Sequence, residues 1–287
     1  MKSVTVRVPA TTANLGPGYD CMGIALKLYN TATIRPAQSN PRQPFLREII
    51  ERFFSETGLR RRAFHIKFDG DVPSSRGLGS SVTVRLGLLM ALNEFYQNPL
   101  SPTKVLDLTV ELEGHPDNAV PAFHGGFCAC IDCDHIRAEV PLNLKFIAVI
   151  PSFKVKTEEA RTVIPKRVSH KDAVTNLRNS AMITGAFCTR QYEKLAGCFV
   201  DKLHQPYRAK LIPGFDETID AAIQAGALGA FLSGSGSTIM AISQSGNSKV
   251  ANAMRDALRN AGHKNIVDHV LAVDNEGAKV LRQARKY

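Results

Sequence analysis

The sequence predicts an α+β fold in two halves, and three patterns carry this prediction. Residues 1–10 alternate apolar and polar side chains, as a half-buried strand does. A glycine-rich turn at 77–79 opens a long apolar helix that ends before Pro99. Beyond the buried-type strand at 145–150, short strands and helices are mixed. We therefore expect two domains, residues 1–150 and residues 151–287.

The other elements follow from hydrophobic periodicity and capping residues. Gly58 is typical of the end of a helix. A second helix is expected to begin at Pro102, its first helical residue, with Ser101 as the N-cap. We expect further strands over 24–34, 63–68, 227–232, 238–243 and 266–273. We expect the remaining helices over 45–56 and 103–113 and from about residues 171, 215 and 249.

Composition narrows the class of protein. The 36 basic and 26 acidic residues give a net charge of +10, which favours anionic partners such as phosphorylated small molecules. The basic residues form no single arm, and there is no Trp. Their densest cluster, residues 60–62, is typical of a solvated loop. We therefore expect no nucleic-acid partner. A mean hydropathy of −0.10 and a first segment unlike a signal peptide favour a cytoplasmic protein with no membrane partner.

Six cysteines do not suggest a disulfide framework in a chain of this kind. Cys128, Cys130, Cys133 and His135 lie within eight positions, which is compatible with metal ligands. A structural zinc site needs a further pair of ligands, and none follows. Small thiols on an apolar strand and turn are the alternative interpretation, and the sequence leaves both open.

Glycines recur at alternate positions in three places: Gly16 and Gly18, Gly77 and Gly79, and Gly234 and Gly236. No Gly-Lys dipeptide is present, which excludes a Walker-type loop, and the third glycine of a dinucleotide fingerprint is missing. The segment 73–81 leads into a helix whose first N–H groups would bind an anion. The hydroxyls of Ser80 and Ser81 can hold phosphate or a hydrated Mg²⁺.

These motifs resemble those of a known family. Residues 73–81 resemble the central phosphate motif of the GHMP small-molecule kinases, and Leu232-Ser-Gly-Ser-Gly-Ser-Thr238 resembles their third motif. The opening Val8-Pro-Ala-Thr-Thr-Ala-Asn-Leu-Gly-Pro-Gly-Tyr-Asp20 is similar to that of homoserine kinases. So are Glu113-Gly-His-Pro-Asp-Asn118 and His204-Gln-Pro-Tyr-Arg208. The matches follow the family's order over positions 8 to 238.

The resemblance implies a two-domain α+β kinase with its active site in the cleft between a nucleotide-binding N-terminal half and a ferredoxin-like C-terminal half. ATP and Mg²⁺ would be bound there, with Ser81 and Glu111 as metal ligands; a solvated helix face is the alternative for Glu111. The nucleotide phosphates would contact these residues: Pro73, Arg76, Gly77, Leu78, Gly79, Ser80, Ser81, Gly234 and Gly236.

The acceptor implied by the resemblance is L-homoserine. Its carboxylate requires guanidinium groups and its ammonium a carboxylate. The family pattern supplies Asn14, Asp20, His115, Arg161 and Arg208 for this pocket, and Asn14, Ser81, Glu111 and Arg208 as the catalytic set. Without that context, Arg161 could pair with Glu158 on a helix face, and His115 could be an ordinary loop histidine.

The mechanism that we predict uses no side-chain base. Some relatives have an aspartate near the γ-phosphate, where this chain has Asn118, and phosphoryl transfer depends mainly on positioning and charge neutralisation. Residues 36–45 are irregular and do not reveal the adenine contacts. The alternatives are a related kinase acting on mevalonate, a diphosphocytidyl alcohol or a modified amino acid, and a non-catalytic relative. The resemblance also suggests a homodimer.

Overall fold

The computed structural model describes residues 3–38 and 43–281 in two β-sheets with helices around them. The first sheet has six strands in the order β10-β1-β2-β4-β5, and β3 pairs with the far end of β2. These strands are β1 (Val4–Ala13), β2 (Met22–Pro36), β3 (Phe64–Gly70), β4 (Phe127–Ile131), β5 (Asp134–Ala138) and β10 (Lys279–Leu281). All the pairings are antiparallel.

The second sheet has four antiparallel strands in the order β7-β8-β6-β9. They are β6 (Lys145–Pro151), β7 (Gly229–Leu232), β8 (Ile239–Ser243) and β9 (Ile266–Leu271). The strand β6 is buried along almost its whole length, since helices cover one face and the first sheet lies towards the other.

Helices cover the outer faces of both sheets. In chain order they are α1 (Pro44–Thr57), α2 (Ser80–Phe95), α3 (Pro102–Glu113), α4 (Pro116–His124), α5 (Thr157–Thr162), α6 (His170–Thr189), α7 (Gln205–Arg208), α8 (Phe215–Gln224) and α9 (Asn247–Asn260). The first four pack on the first sheet, and α8 and α9 pack on the second. Two short 3₁₀ turns cover Tyr192–Leu195 and Ala209–Leu211.

A central apolar core joins the two sheets. Ile24 and Phe127 of the first sheet and Phe146 and Phe231 of the second belong to one buried cluster. The helix α6 completes it, and the rings of Phe187 and Phe127 stack with their centroids 4.4 Å apart. The two sheets therefore share one hydrophobic core.

The predicted α+β fold class is confirmed, and the expected elements are present with ends shifted by a few residues. The sheets do not divide at residue 150, because β6 begins at Lys145 within the second sheet and β10 returns to the first. The division into domains at residue 150 therefore remains a prediction. The two sheets themselves each contain residues from both sides of this position. Residues 39–42 of the irregular 36–45 segment lie outside the described residues.

The thiols identified in the sequence lie on the strand β4 and the turn after it. Cys128 and Cys130 are buried against the first sheet's helices, and burial raises the pKa of Cys128 to about 12. Within residues 3–38 and 43–281, no cluster of three His, Cys, Asp or Glu side chains is arranged to hold a metal ion. Nor does any helix of this part combine the length and apolar character that crossing a bilayer requires.

Candidate active site

A cavity of about 480 Å³ lies between the two halves. One wall is the glycine-rich segment before α2, and the opposite wall carries acidic, basic and amide side chains from four separate segments. The predicted site residues that line it are Asn14, Asp20, Arg76, Gly77, Gly79, Ser80, Ser81, His115, Arg161, Arg208 and Gly234. One cavity therefore contains both the phosphate motif and most of the predicted acceptor pocket.

The phosphate wall depends on glycines at two positions. Gly77 and Gly79 have φ of +77° and +67°, which is left-handed backbone. A Cβ on Gly77 would lie 2.0 Å from the carbonyl oxygen of Ser233, and one on Gly79 would lie 2.0 Å from Oγ1 of Thr11. The loop is thus pressed against both halves, and it presents the N-terminus of α2, with its free N–H groups, to the cavity.

The third glycine motif supports this loop from the second half. The Ser233 hydroxyl donates to the Gly77 carbonyl oxygen at 2.6 Å and forms a 2.8 Å hydrogen bond with the Thr12 hydroxyl. The backbone N–H of Gly234 donates to the Ala13 carbonyl oxygen at 3.2 Å. These contacts join the β7–β8 turn to β1 across the cleft floor.

The carboxylate beside Ser81 belongs to Glu113. The Ser81 hydroxyl donates to Oε2 of Glu113 at 2.9 Å, and Nη1 of Arg85 lies 2.7 Å from Oε1. An oxygen pair of this kind fits Mg²⁺, which prefers hard oxygen ligands.

The predicted metal ligand Glu111 lies elsewhere. Its carboxylate accepts two hydrogen bonds from the Arg52 guanidinium, at 2.8 and 2.9 Å, and it does not line the cavity. The Arg52 hydrogen bonds lower the pKa of Glu111 below its usual value. The expectation for Glu111 is therefore corrected: Glu113 is the carboxylate that the fold brings to Ser81.

Asp20, His115 and Arg161 form one cluster at the acceptor end of the cavity. Nδ1 of His115 and Nη2 of Arg161 each lie 3.5 Å from the Asp20 carboxylate, and Arg161 also contacts Nε2 of His115. Burial lowers the pKa of His115, and the Asp20 charge partly opposes this. Asp20 is held in left-handed backbone, with φ of 58°, by its N–H bond to Oδ1 of Asn14. A carboxylate and a guanidinium are thus available to an amino acid's ammonium and carboxylate.

Arg208 forms the floor of this end and is almost wholly buried. Its Nε donates to the Ala160 carbonyl oxygen at 3.0 Å and its Nη1 to the Gly234 carbonyl oxygen at 3.1 Å. Burial lowers its pKa, yet a guanidinium remains charged at neutral pH. The guanidinium therefore has a fixed orientation before any ligand arrives.

Two neighbouring residues at the start of α4 complete the cavity. Asn118 accepts a 2.6 Å hydrogen bond from the Thr11 hydroxyl and donates to Oδ1 of Asp117 at 3.1 Å. Asp117 is buried, and desolvation together with the nearby Asp20 charge raises its pKa to about 7. The cleft thus holds a carboxyl group that titrates near neutral pH.

Comparison with known proteins agrees with this geometry. Residues 44–126 match the GHMP kinase N-terminal domain and residues 185–262 the GHMP kinase C-terminal domain. Homoserine kinase of Clostridium beijerinckii is 39% identical over 97% of this chain and 98% of its own. That of Caldicellulosiruptor bescii is 37% identical over 97% of both. The chain belongs to the homoserine kinase family.

Solved structures agree with membership of the homoserine kinase family. The crystal structure of homoserine kinase from Cytophaga hutchinsonii matches with a TM-score of 0.89 and 27% identity, covering 98% of both chains. A mevalonate kinase structure at 17% identity matches with a TM-score of 0.71, which shows the shared fold. The predicted family and enzyme class, a GHMP kinase of the homoserine kinase type, are confirmed.

Three predicted nucleotide contacts do not line the cavity. Leu78 is wholly buried in the central core, and Gly236 faces Ile212 and Leu232. Pro73 lies at the base of the loop outside the cavity lining. These residues shape the phosphate loop and its support from behind.

The sequence interpretation did not select Glu113 or Asp117. Both belong to the motif Glu113-Gly-His-Pro-Asp-Asn118, so the signal was present in residues already quoted. Spacing along the helix could have distinguished the two glutamates, because Gly114 ends α3 directly after Glu113 and turns the chain into the cleft.

Proposed function

We propose that this chain transfers the γ-phosphoryl group of ATP to the side-chain hydroxyl of L-homoserine, forming O-phospho-L-homoserine and ADP. This reaction belongs to threonine biosynthesis. The proposal takes the acceptor from the named relatives and the site from this chain's own residues.

One observation carries the proposal. A single cavity is lined both by the helix N-terminus and glycines of the phosphate loop and by Asp20, Arg161 and Arg208. Asp20 would receive the ammonium of the acceptor, and the two guanidinium groups would receive its carboxylate. An acceptor without an α-amino acid head would form no charge-assisted hydrogen bonds with these three side chains, and its binding would lose their contribution to the free energy.

Ser81 and Glu113 would hold Mg²⁺ in this proposal. Their oxygens are 2.9 Å apart beside the first turn of α2, so both could ligate one ion. The ion would neutralise charge on the transferred phosphoryl group. Nη1 of Arg85, 2.7 Å from Oε1 of Glu113, would hold this carboxylate beside Ser81.

The transfer is proposed to be direct and in line, without a side-chain base. Asn118 has no proton-accepting carboxylate, and its amide is already bonded to Thr11 and Asp117. Asn14, whose Nδ2 donates to the Gly234 carbonyl oxygen at 3.1 Å, would help to orient the acceptor beside the phosphate loop. Positioning and charge neutralisation would supply the rate enhancement.

The test is ATP consumption with Mg²⁺ at pH 7.5, comparing L-homoserine with L-serine, L-threonine and mevalonate. We expect turnover selective for L-homoserine, with a phosphomonoester product by ³¹P NMR. Arg208→Leu should lower kcat/KM by about a hundredfold or more, since a buried charge-assisted contact is lost. Arg255→Leu, which removes an arginine paired with Asp268 outside the cavity, is the matched control and should stay near wild type.

Two results would contradict the proposal. Turnover only with an alcohol that lacks the amino acid head would keep the kinase and reject the acceptor. ATP binding without turnover of any acceptor would favour a non-catalytic role.

The absence of a side-chain base has its own test in Asp117→Asn. Asp117 is the carboxyl group of the cavity with a pKa near 7 and is therefore the group to challenge. We expect kcat at saturating substrate to remain within about tenfold of wild type. A loss of a thousandfold, together with disappearance of a basic limb in the pH profile, would identify Asp117 as the base.

Assembly and location follow only from family resemblance. We propose a homodimer in the cytoplasm, and sedimentation of the purified protein would measure its oligomeric state.

A further inference from the structure

His204 lies behind the acceptor end of the cavity and is completely buried. It precedes α7, and its ring is stacked on that of Tyr19 with the centroids 5.1 Å apart. It is not among the residues that line the cavity. A fully buried imidazole requires hydrogen-bond partners for both ring nitrogens, and the identity of those partners reveals its protonation.

Both nitrogens of the ring are bonded, and the partners define one tautomer. Nε2 lies 2.8 Å from the carbonyl oxygen of Gly16, which can only accept, so this nitrogen carries the hydrogen. Nη1 of Arg208 lies 3.3 Å from Nδ1, and a guanidinium can only donate, so Nδ1 carries a lone pair. Burial lowers the pKa of His204 to about 4; the Asp201 carboxylate, 3.5 Å from Nε2, opposes this shift, and the Arg208 charge adds to it. The ring is therefore neutral at physiological pH.

The two bonds of the ring connect the two halves of the acceptor pocket. Gly16 belongs to the loop that carries Asn14 and Asp20, and Arg208 is the guanidinium at the pocket floor. The Arg208 guanidinium also lies over the ring of Tyr19, which belongs to the same loop; Cζ of Arg208 is 5.2 Å from the centre of that ring. The imidazole is thus the connection between the segment that would bind the ammonium and the side chain that would bind the carboxylate.

The ring itself is fixed by Asp201, which is also buried. The Asp201 carboxylate accepts the backbone N–H groups of Leu203, His204 and Gln205, at 2.9, 2.9 and 2.5 Å. It also accepts a 2.6 Å hydrogen bond from the side chain of Asn176 in α6. The chain entering α7 therefore has little freedom, so the backbone that carries the imidazole is fixed.

Among the described residues, no group hydrogen-bonds Nη2 of Arg208. Its Nε and Nη1 are occupied by the Ala160 carbonyl oxygen, the Gly234 carbonyl oxygen and His204. The occupied nitrogens determine the direction in which Nη2 points, and Arg208 lines the cavity. Loss of the acceptor at Nδ1 would leave one edge of the guanidinium less restrained.

We propose that His204, as a neutral imidazole with its hydrogen on Nε2, is a positioning residue that holds Arg208 and the Asn14–Asp20 loop at the spacing required by an α-amino acid head group. This inference rests on the proposed function, since it concerns how the same pocket recognises L-homoserine. His204 does not line the cavity, so it would act through Arg208 and through the loop.

Two substitutions separate the two bonds. His204→Gln places an amide near the position of Nε2, so the donor to Gly16 is retained while a methylene replaces Nδ1. His204→Asn places an amide oxygen near Nδ1, so the acceptor for Arg208 is retained while the side chain is too short for Gly16. His263→Gln is the matched control, because the half-buried His263 donates through Nε2 to the Pro213 carbonyl oxygen at 2.8 Å, away from the cavity.

The readout is competitive inhibition by two fragments of the acceptor. 4-Hydroxybutanoate has the carboxylate without the ammonium, and 3-aminopropan-1-ol has the ammonium without the carboxylate. We expect His204→Gln to raise Ki of 4-hydroxybutanoate about tenfold and that of 3-aminopropan-1-ol less than about threefold. His204→Asn should show the reverse pattern. KM for homoserine should rise in both, with KM for ATP unchanged.

Uniform weakening of both fragments and ATP, or no change in any of them, would overturn the inference. Failure of both variants to fold, judged by circular dichroism, would also overturn it, because His204 would then be a purely structural residue. A wild-type protein that does not phosphorylate homoserine would reject the proposed function and this inference with it. The wild-type assay comes first, so the two failures are distinguished.

Discussion

Glu111 and Glu113 show how a separation of two residues decides a role. Side chains two positions apart on a helix point about 200° apart, so they cannot share a face. Glu111 faces outward to Arg52, whereas Glu113, the last residue of α3, faces Ser81 and Arg85. The motif identified the segment, and only the helix phase decides which carboxylate reaches the cleft.

Substituting each glutamate tests this difference. Glu113→Gln should lower kcat/KM by about a hundredfold or more and raise the Mg²⁺ concentration required for half-maximal rate, since a charged oxygen ligand is lost. Glu111→Gln removes only an exposed ion pair, so activity should persist and the free energy of unfolding should fall by at most about 1 kcal/mol. Steady-state rates over a Mg²⁺ titration measure both. Equal losses in the two variants would contradict the assignment.

Asp117 predicts a pH-dependent stability. Its pKa is raised in the folded state to about 7 from an ordinary value of 3.8, so the folded protein binds this proton more tightly than the unfolded chain does. Its contribution to stability is fully present below about pH 4 and is lost as pH rises towards 7, by an amount of the order of 4 kcal/mol. Asp117→Asn should therefore be more stable than wild type at pH 8, with the advantage declining towards pH 5.

Urea unfolding of both proteins at several pH values measures this difference. Subtracting the two curves removes the contributions of all other titrating groups, provided that Asp117→Asn leaves their surroundings unchanged. A difference that does not vary with pH would show that Asp117 has an ordinary pKa in the folded protein.

At the scale of elements, the phosphate loop functions through its contact with the β7–β8 turn. Gly77 and Gly58 have similar left-handed backbone, with φ of +77° and +65°, but different surroundings. A Cβ on Gly58 would meet nothing within 4 Å, whereas one on Gly77 would meet the Ser233 carbonyl oxygen at 2.0 Å. Comparing alanine substitutions at Gly58 and Gly77 therefore distinguishes the effect of backbone strain, present in both, from the effect of displacing the loop, present only at Gly77.

Gly58→Ala and Gly77→Ala should each lose about 1 kcal/mol of stability from the left-handed conformation alone. Gly77→Ala should lose more, and its KM for ATP should rise about tenfold or more, because the loop must move away from Ser233. Gly58→Ala should keep the wild-type KM. Thermal unfolding and steady-state kinetics provide the two readouts, and an unchanged KM in Gly77→Ala would show that this contact does not shape the nucleotide site.

Most elements could be predicted from the sequence because their patterns are local. The helix over 102–113 was identified by Ser101 and Pro102, and the Ser101 hydroxyl does cap it by accepting the N–H of Lys104 at 3.2 Å. The short helix α4 was missed because Pro121 lies inside it, and Pro normally argues against helix. The pairing of β10 with β1 joins residues more than 270 positions apart, and no local pattern encodes such a contact.

The site was predictable to the extent that its motifs are contiguous. One cavity is lined by four residues of the phosphate loop, Gly77, Gly79, Ser80 and Ser81, and by Asp20, His115, Arg161 and Arg208. The roles of Glu113, Asp117 and His204 depend instead on helix phase, burial and contacts between distant segments. These are properties of packing that the order of residues does not state directly.

At the scale of the whole molecule, the central core predicts that the two halves unfold together. Phe127 and Ile24 from the first sheet pack with Phe146 and Phe231 from the second and with Phe187 of α6 in one buried cluster. In addition, β1 and the β7–β8 turn are joined through the hydroxyls of Thr12 and Ser233. Separating the halves would expose this shared apolar surface, at about 25 cal/mol for each Å².

Calorimetry of the full chain should therefore show one transition whose calorimetric and van't Hoff enthalpies agree. ATP with Mg²⁺ should raise Tm of this single transition as a whole, because binding to the cleft stabilises only the state in which both halves are folded. Phe187→Ala should lower Tm by removing a buried ring, at a cost of about 3–5 kcal/mol, without dividing the transition. Two separate transitions, with ATP shifting only one of them, would show that the halves are independent domains and that the central core does not couple them.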